Sequence, residues 1–586
     1  MTGTPRYLIT TADERTWKFD RPVLFLGEWC RLYDRKQIWE GMDAVVAKPY
    51  GLQAGQKGRD LAYVQALSSR LLDELADALN VFHETRYSVR YWHILLGHWI
   101  DRFGSVTFNR YFTLERALKD HEISGTTVFD SSAYSLATTD LLTFIYACND
   151  DVWNHVLYSR ILNCLGSAKT ETNNECLHGI SGFSQANEKT ERARNVKKFI
   201  RRSAIFIFSK LKRKRDAFII GSSLPLKQEI KLQLSLGQCP QLWEKPRPNL
   251  VAPNPGRRRQ FSLNAGNHQG FERFVRLLLA EVIPSCYLEG YRELAQQVRS
   301  LPWPDEPKFI FTTSNFFTDE IFKAWTASRV EHGTPYFIGQ HGNNYGTLLG
   351  SQCWPELVTC DRAFTWGWTN GSPKNIPAFV FKLAGRKSQP TSPNGGLLLI
   401  ELHPPQLITT WDDHVEFGAY QEEQFRFAAS LPERIQKQLT VRLHAEYKKH
   451  RWSDEQRWRD RNPHATVETG IMRIKALIAQ SRLVVHSYDS TGILETLALN
   501  VPTLCFWRGG LDHLLPSAKP YYELLRGAGI LVDTPEQAAQ MVALHWNDVS
   551  EWWESKNVEN ARKGFCEQYA KTEKDPIRTL KRLLTT

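Results

Sequence analysis

The residues best suited to chemistry lie in four short stretches. The first is His486-Ser487-Tyr488-Asp489-Ser490-Thr491, with Glu495 following. An apolar run, LVVHS (483–487), delivers His486 to a strand's carboxyl end, and a helical pattern starts near Ser490 or Thr491. Backbone N–H groups and hydroxyls at such a helix start accept phosphate oxygens, and open α/β sheets bind ligands at this place. Glu495 lies one turn further on the same helix face, where a carboxylate can take ribose hydroxyls. The plainer alternative is a helix cap with a solvated Glu495. A capping box fits poorly, because the third residues after Ser490 and Thr491 are Ile493 and Leu494.

The second stretch is Arg442-Leu443-His444, ending the run LTVRLH (439–444). Alternation places Arg442 and His444 on one face, and a cation beside an imidazole suits a nucleotide phosphate. The third is Gly339-Gln340-His341-Gly342-Asn343-Asn344-Tyr345-Gly346, directly after an apolar strand. Glycines let backbone approach a ligand closely, and Gln340, His341 and Asn343 supply directed hydrogen bonds. Upstream, Asp319 and Glu320 open a helix, either as residues favoured by its dipole or as cleft-facing carboxylates. The fourth stretch is amino-terminal. It mixes charge with Trp and Tyr: Asp13, Glu14, Trp17, Glu28, Trp29, then His83-Glu84 through Trp92. Such surfaces contact sugars and also make packed domain edges.

Metal chemistry is not expected. No DxD and no HExxH occurs, and Asp150-Asp151 and Asp412-Asp413 are adjacent pairs instead. No GxSxG elbow, Walker A loop or helix-opening GxGxxG appears; Gly527-Ala528-Gly529 precedes a strand-like run.

The elements that must position these residues alternate strand and helix. In the carboxyl-terminal half, LLLIEL (397–402), LTVRLH, LVVHS, TLCFW (503–507) and ILVDT (530–534) read as strands. IMRIKALIAQ (471–480) and TGILETLALN (491–500) read as helices between them. Apolar strands separated by helices predict a parallel sheet covered on both faces. KFIFTTS (308–314), PYFIGQ (335–340) and AFTWG (363–367) repeat the pattern around a helix at 319–330. Residues 60–100 and 110–165 read as helical additions, and 548–582 as a long helical pattern. The expected fold is α/β with two Rossmann-like domains facing a cleft. One domain spans 1–370, a Pro/Ser/Gly-rich linker 371–395 and the second domain 396–560; a helix at 561–586 crosses back.

The chain has 586 residues, 42% of them hydrophobic and 23% charged, which marks a globular protein. Aromatic residues make 12%, a fraction that suits sugar-binding clefts. The net charge of +11 is concentrated: residues 191–215 hold eleven basic residues and one acid. A uniformly basic nucleic-acid binder is therefore not expected. The apolar residues within that run predict contact with an anionic membrane surface, the alternative being a solvated insertion. Ten scattered cysteines without CxxC fit a reducing compartment. The start, MTGTPRYLITTADERTW, lacks an apolar core for a signal peptide, so a cytoplasmic location is expected.

LITTADERTW, FLGEWC, SVRYW, TSNFFTDEIFKAW, GQHGNNYG and HSYDSTGILETLALNVPT together resemble a group of transferases encoded in bacterial O-antigen and surface-polysaccharide gene regions. The carboxyl-terminal half is also remotely similar to GT-B glycosyltransferases that use CMP-activated ulosonic or nonulosonic acids. Those enzymes hold CMP with a His-Pro element and a Ser/Thr pair. Here Ser490-Thr491 matches the pair, whereas Ala445 stands where Arg442-Leu443-His444 would need a proline, and His403-Pro404 sits on the domain's first strand.

The resemblance implies a metal-independent glycosyltransferase that needs no cofactor beyond its nucleotide-sugar donor, a CMP-sugar being favoured. Its acceptor would be a lipid-linked intermediate or an oligosaccharide. Arg442, His444, His486, Ser487, Ser490 and Thr491 would hold the nucleotide phosphates and Glu495 the ribose. Gln340, His341, Gly342 and Asn343 would contact the donor sugar. Asp319, Glu320, Glu84 and His341 are the candidates for base or nucleophile. The alternatives are a non-catalytic glycan-binding protein and a sugar-nucleotide-processing enzyme such as an epimerase.

Overall fold

The computed structural model describes residues 4–53, 55–166, 168–177, 213–241, 243, 246–249, 251–351, 355–386, 388–402, 417–444, 447 and 452–586. The basic run falls outside them up to residue 212, as do His403-Pro404 and Ala445.

Three parallel sheets organise the chain. The first joins β1 (Arg6–Ile9), β2 (Val23–Phe25), β3 (Ala44–Val46), β4 (Ile123–Phe129) and β5 (Thr170–Asn173) in the order β3-β2-β1-β4-β5. The amino-terminal region thus has a sheet of its own, where the sequence predicts helical additions. Its first three strands hold only three or four residues each, too few for a period to show. The second sheet is β10-β9-β8-β7-β6, built from β6 (Phe218–Ile219), β7 (Ile310–Thr312), β8 (Tyr336–Gly339), β9 (Arg362–Thr365) and β10 (Asn375–Pro377). The third is β13-β12-β11-β14-β15-β16. It is built from β11 (Gly396–Ile400), β12 (Leu439–Arg442), β13 (Thr466–Glu468), β14 (Ser481–His486), β15 (Thr503–Phe506) and β16 (Leu531–Val532). β14 and β15 are buried along both faces, as a sheet covered by helices on two sides requires.

Two long helices, α1 (Gln56–His83) and α2 (Val89–Asp120), pack against each other. α1 buries Leu61, Val64, Leu67, Leu71, Leu75 and Leu79, spaced three and four residues apart, so one apolar stripe faces the core. Each such leucine contributes ~1.5–3 kcal/mol by burial. Ser88 caps α2 by accepting from the Tyr91 N–H at 3.2 Å.

The helices that matter for the site follow in chain order. They are α3 (Leu226–Ser235), α4 (Glu320–Glu331), α5 (Pro355–Thr359), α6 (Asp454–Arg461), α7 (Thr491–Ala498) and α8 (Lys519–Gly527). After them come α9 (Lys556–Tyr569) and α10 (Pro576–Thr585). α9 packs on α7 and α8, in the third-sheet unit, while α10 packs on α3, beside the second sheet. The crossing is pinned at Lys571, whose N–H donates to Trp366 O at 2.9 Å and whose carbonyl accepts from the Val380 N–H at 2.8 Å. The first sheet reaches the third-sheet unit at Tyr33, which donates to Asp460 of α6 at 2.6 Å beneath the Arg457 guanidinium.

Candidate functional site

The loop after β8 and the loop after β14 meet. Both leave the carboxyl ends of parallel strands, and they belong to different sheets. The Asn343 N–H donates to Thr491 Oγ1 at 3.1 Å, and the Asn343 side-chain amide donates to Asp489 at 2.6 Å. Thr347 folds the loop by donating to Asn343 O at 2.5 Å. Leu515 N donates to Thr347 O at 2.8 Å, and Leu349 N to His513 O at 3.0 Å. Gly346, at φ 72°, makes the turn; a Cβ there would meet the Trp368 ring at 2.4 Å. Two stretches singled out separately in the sequence are thus one structure.

On the second-sheet side, His341 Nδ1 lies 3.1 Å from the Tyr345 hydroxyl, which donates to Glu356 of α5. The other Glu356 oxygen lies 3.2 Å from His98 Nε2 on α2. Burial pushes the Glu356 carboxyl up to about 8 and His98 well below its ordinary value. Burial, helped by the Lys382 cation, pulls the partly buried His341 down to about 4. On the third-sheet side, Asp489 accepts from three donors: the Asn343 amide, the Tyr522 hydroxyl at 3.0 Å and His513 Nε2 at 3.1 Å. α7 begins at Thr491 with Ser490 as its extended N-cap. The Ser490 hydroxyl makes no capping bond to the helix and lies beside the Tyr488 phenol.

Several sequence expectations need correcting. His486 is fully buried under the start of α7, with Nε2 3.4 Å from Thr496 Oγ1, and burial lowers it to about 3. Gly492 allows that approach, since a Cβ there would meet the His486 ring at 2.7 Å. His486 therefore supports the helix start and cannot itself touch a phosphate. Ser487 is buried too, bonded to the Tyr420 hydroxyl at 2.9 Å and to Ile400 O. Gln340 accepts from Trp366 N and Trp368 Nε1, both at 2.8 Å, and donates to Gly342 O, so its amide fastens the loop rather than lining a cleft.

Glu320 is buried in an ion pair with Lys323 at 2.9 Å, and Tyr287 donates to it at 2.7 Å. Asp319 caps α4 through Phe322 N and accepts from the Asn315 amide. Glu84 is exposed at the end of α1, 3.9 Å from Arg292. None of these three carboxylates joins the meeting of the loops. Glu495 is paired with Lys382 at 2.5 Å, and Arg442 with Glu468 at 2.9 Å; His444 is exposed two residues past the end of β12. His341, Gly342, Asn343, Ser490 and Thr491 are the expected residues that the fold does bring together. Sequence reading missed Tyr345, Glu356, His98, Lys382 and Asp489. Tyr345 and Asp489 lay inside the quoted motifs, whereas nothing local marks Glu356 or His98.

Among the described residues, no group of three or more His, Cys, Asp or Glu is placed to hold a metal ion, and no helix is long and apolar enough to cross a membrane.

Two parallel-sheet units meet at the carboxyl ends of their strands, and a carboxyl-terminal helix crosses back from one to the other. The chain belongs to the LIC12162 family of transferases, whose match covers residues 6–584. Among solved structures it is similar to TarM, at 10% identity over 47% of this chain and 54% of that one, with a TM-score of 0.31. It is also similar to WaaG, a glycosyltransferase involved in lipopolysaccharide biosynthesis, at 12% identity over 51% and 95% of the two chains, with a TM-score of 0.27. MurG of Acinetobacter baumannii gives 12% identity over 51% and 77%, with a TM-score of 0.27. The chain spans about half the length of TarM. No curated protein matches it.

Proposed function

We propose that this transferase moves a sugar from a nucleotide donor to an acceptor hydroxyl of a surface polysaccharide, with the donor held where the 339–347 loop meets the start of α7. The observation that carries the reading is the Asn343–Thr491 contact, which joins the carboxyl ends of two parallel sheets. That end of an α/β sheet is where ligands bind. The free N–H groups of α7, with the Ser490 hydroxyl beside them, would take a phosphate oxygen. A CMP-sugar is the favoured donor, on the Ser490-Thr491 pair; a lipid-linked intermediate or an oligosaccharide is the acceptor. Charge leaving with the phosphate would be met by helix N–H groups and hydroxyls rather than by a bridging cation.

The test is a thermal-shift and nucleotide-release panel with CMP-, UDP- and GDP-sugars. One nucleotide should stabilise the protein, and Ser490→Ala should weaken its binding about tenfold, the loss of one hydrogen bond to a charged group. Turnover should survive EDTA. No stabilisation by any nucleotide would end this reading, and loss of turnover in EDTA restored by Mg²⁺ would end its metal-free form.

A further inference from the structure

Among the described large apolar residues, Ile471 is the most exposed, at 86%. Met472 and Ile474 follow it, each 38% exposed. The backbone keeps this apolar tip from folding back. Glu468, the last residue of β13, accepts from the N–H groups of Gly470 at 3.1 Å, Ile471 at 2.7 Å and Met472 at 2.8 Å. Gly470 makes the turn at φ 89°, and Arg442 stands beside the carboxylate as its counter-ion. Arg442, expected at a phosphate, thus serves the loop instead.

The charge around the tip has one sign. Between Glu468 and Asp489 the sequence holds Arg473, Lys475 and Arg482 and no acid. Arg473 and Lys475 are exposed, and exposed Arg386 lies within electrostatic reach of Lys475. Glu495, the acid that Lys475 feels, is already paired with Lys382. Apolar side chains flanked by cations match the boundary of an anionic bilayer, where the first enter the acyl region and the second meet headgroups. A rigid tip also loses little conformational freedom when it inserts.

We propose that the 470–475 loop docks this protein on an anionic membrane surface. The inference goes beyond the function proposed above and stands without it. It also says which face the membrane meets. Glu468, Arg442 and His486 stand level at the carboxyl ends of the third sheet, and β13 lies three strand spacings from β14, about 14 Å. Docking at the tip would bring that end of the sheet, with the start of α7, to the lipid surface, where a lipid-linked acceptor would lie.

The test is co-sedimentation of the full-length protein with vesicles of phosphatidylcholine alone and of a phosphatidylcholine–phosphatidylglycerol mixture, at low and high salt. Binding is expected on the mixture and should weaken with salt. Ile471→Asp should lower it at least about tenfold. Arg473→Gln and Lys475→Gln should each lower it about fivefold. These side chains are exposed, so each variant should keep the native Tm, and Ile471→Asp should leave any stabilisation by nucleotide unchanged. Amide exchange over residues 469–480 should slow on the mixed vesicles. No binding to the mixture, equal binding to both lipids, or unchanged binding by Ile471→Asp overturns the proposal. In that last case, loss of binding on changing Lys212, Arg213, Lys214 and Arg215 to Gln would give the contact to the basic run. A change of oligomeric state by Ile471→Asp without lipid would make the tip a contact between copies, and also overturns it. If CMP, UDP and GDP all fail to bind, the proposed function fails, and the vesicles still decide this inference.

Discussion

Two buried carboxyl groups grip the 339–347 loop from opposite sides, and they do it differently. Asp489, from the third sheet, is a hub that accepts from an amide, a phenol and an imidazole. Glu356, behind the second sheet, gathers less: one phenol donates to it, and its other oxygen lies 3.2 Å from the His98 imidazole. Burial alone does not set what such a group does. The donors around it decide how many hydrogen bonds it gathers.

The largest test of that contrast is Asp489→Ala. It strands three buried donors at once and should cost about 3–5 kcal/mol, read as a fall in Tm and as proteolytic opening near residue 347. If it costs no more than Glu356→Leu, the hub has no special standing.

The pH dependence of stability separates the two kinds of buried group. Native Glu356 holds its proton up to about pH 8, while the unfolded chain releases it near 4.5. Unfolding then releases a proton, so stability falls as pH rises through that window, by at most about 1.4 kcal/mol per pH unit. Glu356→Gln should flatten that slope, and an unchanged alkaline limb would refute the neutral carboxyl. His486 works in the other sense. It stays neutral down to about pH 3 when folded and protonates near 6.5 when unfolded. Unfolding takes up a proton, so stability falls as pH drops from 6.5 towards 3. His486→Gln should flatten the acid limb in urea titrations, and an acid limb that keeps its slope would count against a neutral buried ring.

The smallest effect is expected from Lys382→Met. Lys382 and Glu495 are 32% and 31% exposed, so their pair is worth under about 1 kcal/mol. The sharper reading is the His341 titration, whose midpoint should rise once a nearby cation is gone. A midpoint that stays put would show that burial alone holds it down.

Much of the scaffold was legible. Strands β7, β8, β9, β11, β12, β14 and β15 stand within a few residues of their apolar runs, because a buried parallel strand leaves an unbroken apolar run that here extends past the strand itself. The first sheet was not legible, since its short runs, such as VLF at 23–25, lie beside long helical patterns and merge with them. At the site, local cues reached the loops but not their roles. His486 and Ser487 have the chemistry of ligands and the burial of supports, and only packing separates the two. Glu320 resembles a cleft carboxylate until Lys323, one turn on, neutralises it.

The crossing at Lys571 bears on how the molecule is made. Trp366 takes its backbone partner from a residue that follows about 200 positions later in synthesis. At about 5–20 residues per second, that partner emerges roughly 10–40 s after Trp366. The unit around the second sheet therefore leaves the ribosome with one edge open, while the third sheet is translated and closes behind it. A released chain truncated at residue 560 should hold a finished third sheet beside an unsealed second one, so this join is an order of assembly as well as a contact.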